Sequence, residues 1–448
     1  MLVHPTGALR AINGTNAMSW KTFYTRGKLK VMLLTLGATL LGTIIFLNFS
    51  LGERHVQQEI SRLYSIEDAQ FQRSLGVMLG PPIIDGNRFT ALINGDQIFP
   101  KMLESIRGAQ KTILFETYIY WSGEIGGQFA DALSERARAG VKVHVLLDWV
   151  GSSKIDKSFL SAMEQAGVEV KMYRPLRWYN LGRINNRTHR KLLVVDGQTG
   201  FTGGVGIAAQ WTGNAQDPEH WRDSHFMAEG PVAAQMQAVA LDNWKKTTGK
   251  VLHGPEYFPA IAPVGTGRAQ MFSSSPSGGS ESMHLMYLLA ITAARESIHL
   301  SISYFVPDDM TKDALIDAVK RGVKVQIIVP GKYIDTKIVR RSSRGMWGDL
   351  LEAGVEIHEY QPTMFHCKVM IVDRLLVSVG STNFDDRSFR LNDEANLNIY
   401  DSDFARQQID VFEQDLANSK RITFVQWQNR PMTEKLLERS AAVLGPLL

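Results

Sequence analysis

The feature that most constrains the fold of this chain is an internal duplication. The pattern His-x-Lys-x4-Asp occurs at residues 189–196, in "THRKLLVVDG", and again at residues 366–373, in "FHCKVMIVDR". The surroundings repeat in the same order, because "RARAGVKVHVLLD" around Gly140 has a counterpart in "AVKRGVKVQIIVP" around Gly322. A preserved order with drifting spacing indicates two copies of one structural unit.

Each copy alternates helical and strand patterns. An apolar strand ("TILFETYIYW"; "SIHLSISYF") is followed by an amphipathic helix ("GGQFADALSERARAG"; "TKDALIDAVKRG") and then by a β-branched strand. Such alternation predicts an α/β fold in which a sheet is packed between helices. We therefore expect two duplicated α/β sandwich domains, residues 88–263 and 264–448, that face each other and bring His189 and His366 into one cleft.

The N-terminal part predicts a membrane anchor. Residues 31–51 contain no charge, and about 20 apolar residues span a bilayer as a helix. A buried core helix would show a polar face, and a signal peptide would show a small-residue cleavage site, so we favour one uncleaved transmembrane helix. Residues 1–30 carry five basic residues and no acid, and residues 52–87 form the predicted linker.

The charge bias also predicts the orientation. The positive-inside rule places the tail 1–30 in the cytoplasm and the large C-terminal part on the other side. In a Gram-negative cell this means a single pass through the inner membrane, with the catalytic part in the periplasm. Without the five basic residues of the tail the chain is nearly neutral, which disfavours a nucleic-acid partner.

The two histidines can exchange a phosphodiester. A neutral imidazole can attack phosphorus, while a protonated imidazole donates to the leaving oxygen, so His189 and His366 together can form and resolve a phosphohistidine intermediate. Lys191 and Lys368 can neutralise the non-bridging oxygens as charge develops. We predict that this chemistry needs no metal and no cofactor.

Four carboxylates accompany the motif. Asp223 and Glu394 each follow the histidine of their own copy, and we expect them to hold the far ring nitrogen of a catalytic histidine. Asp196 and Asp373 complete the catalytic motif, but they close apolar strands, which favours a turn-forming role.

Small residues follow each motif, in "TGGVGIAAQ" and "VGSTNFDD". Gly203 and Gly204 predict a tight turn whose backbone can approach a phosphate, and Ser381 and Asn383 can add side-chain donors. Gly206 occupies the position that corresponds to Asn383, so the first copy lacks that donor.

At these residues the chain resembles the phospholipase D superfamily and, within it, bacterial cardiolipin synthases. The likeness runs from about residue 88 to the end and includes "LLDWVGS", "THRKLLVVD", "LLEAGVEIHEYQP", "HCKVMIVD" and "GSTNFDDRSFRLNDE". The resemblance implies that His189 takes a phosphatidyl group from phosphatidylglycerol and that His366 acts as general acid and then as base. It implies phosphatidylglycerol, other anionic phospholipids and the bilayer as partners. Gly206, where the family usually has Asn, and a single span instead of a hairpin depart from the family pattern.

Two alternatives remain open at this stage. A phospholipase D of the same chemistry would use water or another alcohol as the acceptor, and a membrane-tethered phosphodiesterase would act on nucleic acid. The stretch 171–191 interleaves basic and aromatic residues, which suits an anionic lipid interface but also single-stranded nucleic acid.

Overall fold

A computed structural model describes residues 20–49, 56, 60–177, 185–276 and 282–443. It divides the chain into two units, Met1–Ser50 and Leu51–Leu448.

The first unit contains one long helix, α1 (Trp20–Phe49). Its stretch Gly27–Leu47, 21 residues long, has the length and the apolar composition that a membrane span requires. The helix begins before the predicted span 31–51, because helical geometry continues into the basic flank, and the last predicted residues lie outside the described part. Most of the tail 1–30 lies outside it as well.

The second unit contains the duplicated α/β elements. The segment before the motif of the first copy provides α2 (Ala69–Leu79), β1 (Ile84–Ile93), α3 (Asn94–Gly108), β2 (Thr112–Thr117), α4 (Glu124–Arg138), β3 (Lys142–Asp148), α5 (Lys157–Gln165) and β4 (Glu169–Tyr173). The first motif and its surroundings provide β5 (Leu192–Val195), β6 (Thr199–Gly203), β7 (Ser224–Glu229) and α6 (Val232–Thr248).

The second copy repeats this order. It contains β8 (Gly267–Ser274), α7 (Ser282–Ala293), β9 (Ser297–Ile302), α8 (Asp309–Lys320), β10 (Lys324–Pro330), α9 (Lys337–Gly345), α10 (Trp347–Ala353) and β11 (Glu356–Tyr360). After these come β12 (Lys368–Val372), β13 (Leu376–Gly380), β14 (Glu394–Tyr400), α11 (Ser402–Ala417), β15 (Ser419–Ile422), α12 (Phe424–Gln428) and α13 (Met432–Ala442).

The strands of the described part form one hydrogen-bonded sheet with a nearly symmetric order. The order is β15-β11-β10-β9-β12-β13-β14-β8-β1-β7-β6-β5-β2-β3-β4. From the central β8–β1 pair outward, each strand of the first copy has its counterpart at the same place on the other side, and β15 is an addition to the second copy. Because β1 pairs with both β7 and β8, the sheet has no edge at the predicted border between the copies, and the domain limits stay a prediction.

The three largest buried apolar clusters of the described part hold the sheet and the helices together. One contains Phe129 and residues of α3 to α5 and belongs to the first copy, and another contains Leu315 and residues of α7, α8 and α10 of the second. The third cluster joins the copies, because Val194 of β5, Met236 of α6 and Val369 of β12 belong to it together. The duplicated unit therefore folds as one body around a shared core.

The predicted linker 52–87 contains ordered structure. Helix α2 begins after Asp68, whose side chain caps it by accepting a hydrogen bond from the Gln70 N–H. Phe71 and Leu75 lie one helical turn apart and are buried in the apolar cluster of the second copy. The spacing of these apolar residues makes α2 part of the core, which the linker prediction missed.

Asp196 and Asp373 stand at equivalent turns. The Asp196 carboxylate accepts hydrogen bonds from the N–H groups of residues 110–112 at 2.7–2.9 Å, and Asp373 accepts from residues 295–297 at 2.7–2.9 Å. Both have positive φ, 52° and 47°. Each carboxylate therefore fastens the end of its motif strand, β5 or β12, to the start of the neighbouring strand, which is the turn-forming role favoured above.

We expect Asp373→Asn to lower stability more than activity. The amide keeps the turn geometry but loses the charge that strengthens three hydrogen bonds, which destabilises the fold by about 2 kcal/mol. The measurement is the melting temperature of the full-length protein in detergent, with Asp313→Asn on the exposed side of α8 as the control. A variant with unchanged melting temperature and lost activity would contradict the structural role.

Candidate active site

The two copies exchange backbone hydrogen bonds at the histidines. The His189 N–H donates to the Asp393 carbonyl at 2.9 Å, and the His366 N–H donates to the Arg222 carbonyl at 2.8 Å. The histidines lie in extended segments that end where β5 and β12 begin. Each histidine is therefore positioned by the residue that precedes a carboxylate of the opposite copy.

His189 pairs with Glu394 across the copies. Its Nδ1 lies 3.0 Å from Oε1 of Glu394, and its side chain is 12% exposed. Burial lowers the pKa of His189 to about 4, although the carboxylate opposes this shift. Burial would raise the pKa of Glu394, but His189 and Lys191 outweigh it and keep that pKa below its ordinary value. The imidazole is therefore neutral near pH 7, held by an ionised acceptor.

His366 has the mirror-image partner, Asp223. Its Nδ1 lies 2.7 Å from Oδ2 of Asp223. Burial and then Lys368 lower the pKa of His366, and His366 in turn keeps the pKa of Asp223 low against the effect of burial. The orienting carboxylates are those predicted, but each serves the histidine of the other copy. Sequence distance suggested a pairing within each copy, whereas the extended segments cross between the copies.

The two lysines are buried beside the histidines. Nζ of Lys191 donates to the His189 carbonyl at 2.7 Å, and Nζ of Lys368 donates to the His366 carbonyl at 2.8 Å. Burial lowers the pKa of Lys191 to about 7, and it also lowers that of Lys368. These ammonium groups supply positive charge in a site of low polarity, where it acts strongly on an anion.

Of the four residues predicted to contact a phosphate, three have a different role in the structure. A Cβ at Gly204 would lie 2.2 Å from Oδ1 of Asp223, so the missing side chain makes room for this carboxylate. A Cβ at Gly203 would lie 2.6 Å from the carbonyl oxygen of Ser224 and from Nδ1 of His225, so this glycine is also closely packed. Ser381 donates to Oε2 of Glu394. Of this set only Asn383 lines the cavity, with its Oδ1 buried and unpartnered among the described residues.

Both histidines line one cavity of about 700 Å³. It also contains residues that sequence reasoning did not single out: Tyr118, Arg187, Trp211, Trp221, Tyr304, Asp335, Asp385 and Arg387. Two of these residues could have been found from the sequence, since Asp385 and Arg387 belong to the quoted stretch "GSTNFDDRSFRLNDE". Arg187 belongs to the stretch 171–191, whose basic and aromatic residues suggested an anionic interface, and the others come from loops whose convergence no local pattern shows.

The surroundings of the two histidines differ. Trp211 and Trp221 lie with ring centroids 5.4 and 5.5 Å from His366, whereas Tyr118 lies 5.3 Å from His189. Gly206 leaves space that Trp211 and residue 119 fill, because a Cβ there would lie within about 3 Å of both. The missing donor of the first copy is therefore replaced by an aromatic wall.

The fold and the site define a class. The duplicated sheet and the two histidine–lysine pairs fit the phospholipase D superfamily, which the motifs of the sequence resemble. The crystal structure of the phosphatidylserine synthase from Haemophilus influenzae Rd KW20 has this fold, with a TM-score of 0.62 at 14% identity, covering 85% of this chain and all of that one.

Within that class the chain belongs to the cardiolipin synthase family. The family model for the cardiolipin synthase, phospholipase D-like domain matches residues 102–221 and 287–416. A cardiolipin synthase of Geobacillus thermodenitrificans (strain NG80-2) is 36% identical over 370 residues, 82% of this chain and 74% of that protein. Cardiolipin synthase 2 of Bacillus anthracis is 36% identical over 360 residues, 80% of this chain and 70% of that protein. These findings confirm the resemblance and the predicted fold class.

We expect anion binding at this site to weaken as the pH rises through 7. The Lys191 ammonium has a pKa of about 7, so it is charged below that pH and loses its charge above it. The affinity for sulfate, whose own charge is constant in this range, should fall about 5-fold to 10-fold between pH 6 and pH 8.5.

Calorimetric titration of the full-length protein in detergent measures this effect. Lys191→Arg, which stays charged, should reduce the pH dependence, and Lys157→Arg on the surface of α5 is the control. An affinity that is equally pH-dependent in Lys191→Arg would show that another group titrates.

Proposed function

We propose that this chain is a membrane-anchored cardiolipin synthase that joins two molecules of phosphatidylglycerol and releases glycerol. The observation that carries the proposal is the pair of buried histidines, His189 and His366, which line one cavity and are each held by an ionised carboxylate. Family membership and the names of the relatives support the choice of substrate.

In the first step the phosphatidyl group moves to the enzyme. Nε2 of neutral His189 attacks phosphorus, and the bond between phosphorus and the glycerol oxygen breaks. That oxygen takes a proton from His366, so that glycerol leaves and a phosphohistidine remains. Lys191 and Lys368 balance the charge on the non-bridging oxygens. The anionic substrate itself raises the pKa of His366, which burial lowers in the free enzyme, and so favours its acid form.

In the second step the phosphatidyl group moves to the acceptor. A hydroxyl of a second phosphatidylglycerol attacks phosphorus and gives its proton to His366, which is now neutral. The bond to His189 breaks, and cardiolipin forms. Glu394 and Asp223 keep the two imidazoles in the tautomer that exposes Nε2, so the same two side chains serve both steps.

The anchor supports a lipid substrate. Helix α1 holds the enzyme at a bilayer, where both phosphatidylglycerol molecules are present at high local concentration. The basic tail 1–30 supports an N-terminus in the cytoplasm, and hence a catalytic unit on the periplasmic side of the inner membrane. The almost neutral charge of the chain beyond the tail disfavours nucleic acid as the substrate.

The identity of the products tests the proposal. Purified full-length protein in detergent is incubated with labelled phosphatidylglycerol, with and without phosphatidylethanolamine, and the lipids are separated. We expect cardiolipin and an equal amount of free glycerol when phosphatidylglycerol is the only lipid. Phosphatidic acid as the sole lipid product would make the enzyme a hydrolase, and turnover of oligonucleotides alone would make it a nuclease.

The roles of the histidines are tested separately. His189→Ala should reduce transfer by at least about 10³-fold, since no other group can carry the phosphatidyl intermediate. His366→Ala should slow both steps and allow a labelled phosphatidyl-enzyme to be trapped by denaturation at alkaline pH, where the bond between phosphorus and the imidazole nitrogen is stable. His253→Ala, exposed and outside the cavity, is the control. A trapped intermediate in His189→Ala instead would reverse the two roles.

A further inference from the structure

A second cationic group lies in the cavity beside the reaction centre. Arg187 lines the cavity and is only 3% exposed, yet Nε, Nη1 and Nη2 of its guanidinium have no hydrogen-bond partner among the described residues. Buried polar groups are nearly always hydrogen-bonded, and an unpaired buried guanidinium is unfavourable. The guanidinium of Arg187 is therefore available to bind an anionic ligand.

The nearest carboxylate does not fulfil this role. Oδ1 of Asp148 lies 3.7 Å from Nη1 of Arg187, which is too far for a hydrogen bond. The Asp148 carboxylate accepts instead from the N–H groups of Val150, Gly151 and Thr188 at 2.9–3.1 Å. It offsets part of the Arg187 charge and leaves the donors of the guanidinium available.

A second arginine strengthens this cationic group. Arg387 also lines the cavity, and its Nη1 and Nη2 donate to Asn185 at 2.9 and 3.1 Å, which holds its guanidinium in place. Arg387 lowers the pKa of Arg187, after burial and together with Arg174, so the three positive charges act on one another. Like charges gathered in a buried place are stabilised when an anion binds between them.

Arg187 and Arg387 make no hydrogen bond to the reaction centre in the described part of the chain. Lys191 and Lys368 donate to the carbonyls of the two catalytic histidines, whereas Arg387 donates to Asn185 and the guanidinium of Arg187 makes no hydrogen bond. The cavity therefore has two sets of cationic side chains, the motif lysines and the arginines. A substrate with a single phosphate requires only the first.

The arginine is absent from the pseudo-symmetric position. Arg187 lies two residues before His189, and the residue two before His366 is Met364, which is buried as well. The duplicated backbone alone does not call for an arginine there. The charge is thus a property of one half of the cavity, as expected of a site that binds one additional anionic group.

We propose that Arg187, with Arg387, forms a subsite for a second phosphate ester, that of the lipid whose hydroxyl accepts the phosphatidyl group. The inference rests on the proposed function and specifies how the enzyme selects its acceptor. In cardiolipin the two phosphates are joined through one glycerol, so the acceptor brings its own phosphodiester into the cavity while the first phosphate occupies the reaction centre. The planar guanidinium matches the geometry of phosphate oxygens and favours such an acceptor over water or a neutral alcohol.

Competition between two soluble acceptors tests the subsite. Full-length enzyme in detergent receives phosphatidylglycerol as the donor together with labelled glycerol and labelled glycerol 1-phosphate, and the two labelled products are quantified. We expect the wild-type enzyme to incorporate glycerol phosphate at least 10-fold better than glycerol. In Arg187→Met, which introduces the residue of the other copy, this ratio should fall close to one, and the ratio of cardiolipin to phosphatidic acid should fall with it.

Two further variants keep the test decisive. Arg187→Lys retains the charge and should restore part of the preference, also if Arg187→Met folds poorly. Arg138→Met removes an exposed arginine of α4 outside the cavity and should behave as the wild type. The proposal would be overturned if Arg187→Met kept the wild-type preference for glycerol phosphate over glycerol, or if Arg138→Met lost that preference to the same extent. It would also be overturned if the wild type or Arg187→Lys showed no such preference.

Inorganic phosphate distinguishes the subsite from the proposed function. If the wild-type enzyme releases only phosphatidic acid, the synthase function fails, and inhibition of that hydrolysis by inorganic phosphate becomes the measure of the subsite. An inhibition constant at least 5-fold higher in Arg187→Met would then support a site for a free phosphate. An equal constant in both proteins would exclude the subsite as well.

Discussion

The site depends on one exchange of hydrogen bonds between the two copies. His189 and His366 each donate their backbone N–H to a carbonyl of the opposite copy and direct Nδ1 to the carboxylate that follows that carbonyl, Glu394 or Asp223. Neither copy contains a complete half-site of its own. A catalytic histidine with a fixed tautomer therefore exists only when the two halves of the sheet are joined, and the joining at β1 and β8 is as much part of the site as its side chains are.

Burial explains why these few groups are sufficient. The imidazoles, lysines and carboxylates lie where water is largely excluded. Desolvation therefore favours the neutral form of the histidines and lowers the pKa of Lys191 to about 7. The carboxylates stay ionised because the electrostatic attraction of the paired histidine, its hydrogen bond and the nearby lysines together outweigh the effect of burial. In such surroundings a bound phosphate meets preorganised charges, and little reorganisation is needed as the reaction proceeds.

The duplication makes the backbone around the cavity nearly symmetric, while the side chains that line the cavity differ between the two copies. The His, Lys and carboxylate positions match, but the walls around them do not: Trp211 and Trp221 surround His366, while Arg187 and Arg387 belong to the cavity with Tyr118 near His189. A symmetric cavity would treat donor and acceptor alike. An asymmetric one can hold a lipid by its apolar part at one place and by an anionic group at another.

In the sequence alone, the duplicated copies were sufficient to predict the α/β class, the two histidine–lysine pairs and the family. The uncharged stretch 31–51 was sufficient to predict the apolar N-terminal helix. These features depend on local periodicity and on residue types at short spacing, which are visible directly in the sequence. The sequence also pointed to Glu394 and Asp223 as the orienting carboxylates. It could not show which histidine each one serves, that the predicted linker contains a core helix, or that the sheet runs without a break through both copies.

Those features belong to the tertiary structure, because they arise from contacts between segments about 140 to 220 residues apart in the chain. Local pattern contains no information on which of two equivalent strands will lie next to a given histidine. Three features were decided only when distant segments packed around one cavity. These are the crossing of the copies, the burial that shifts the pKa values of His189 and Lys191, and an Arg187 guanidinium that makes no hydrogen bond to the described residues.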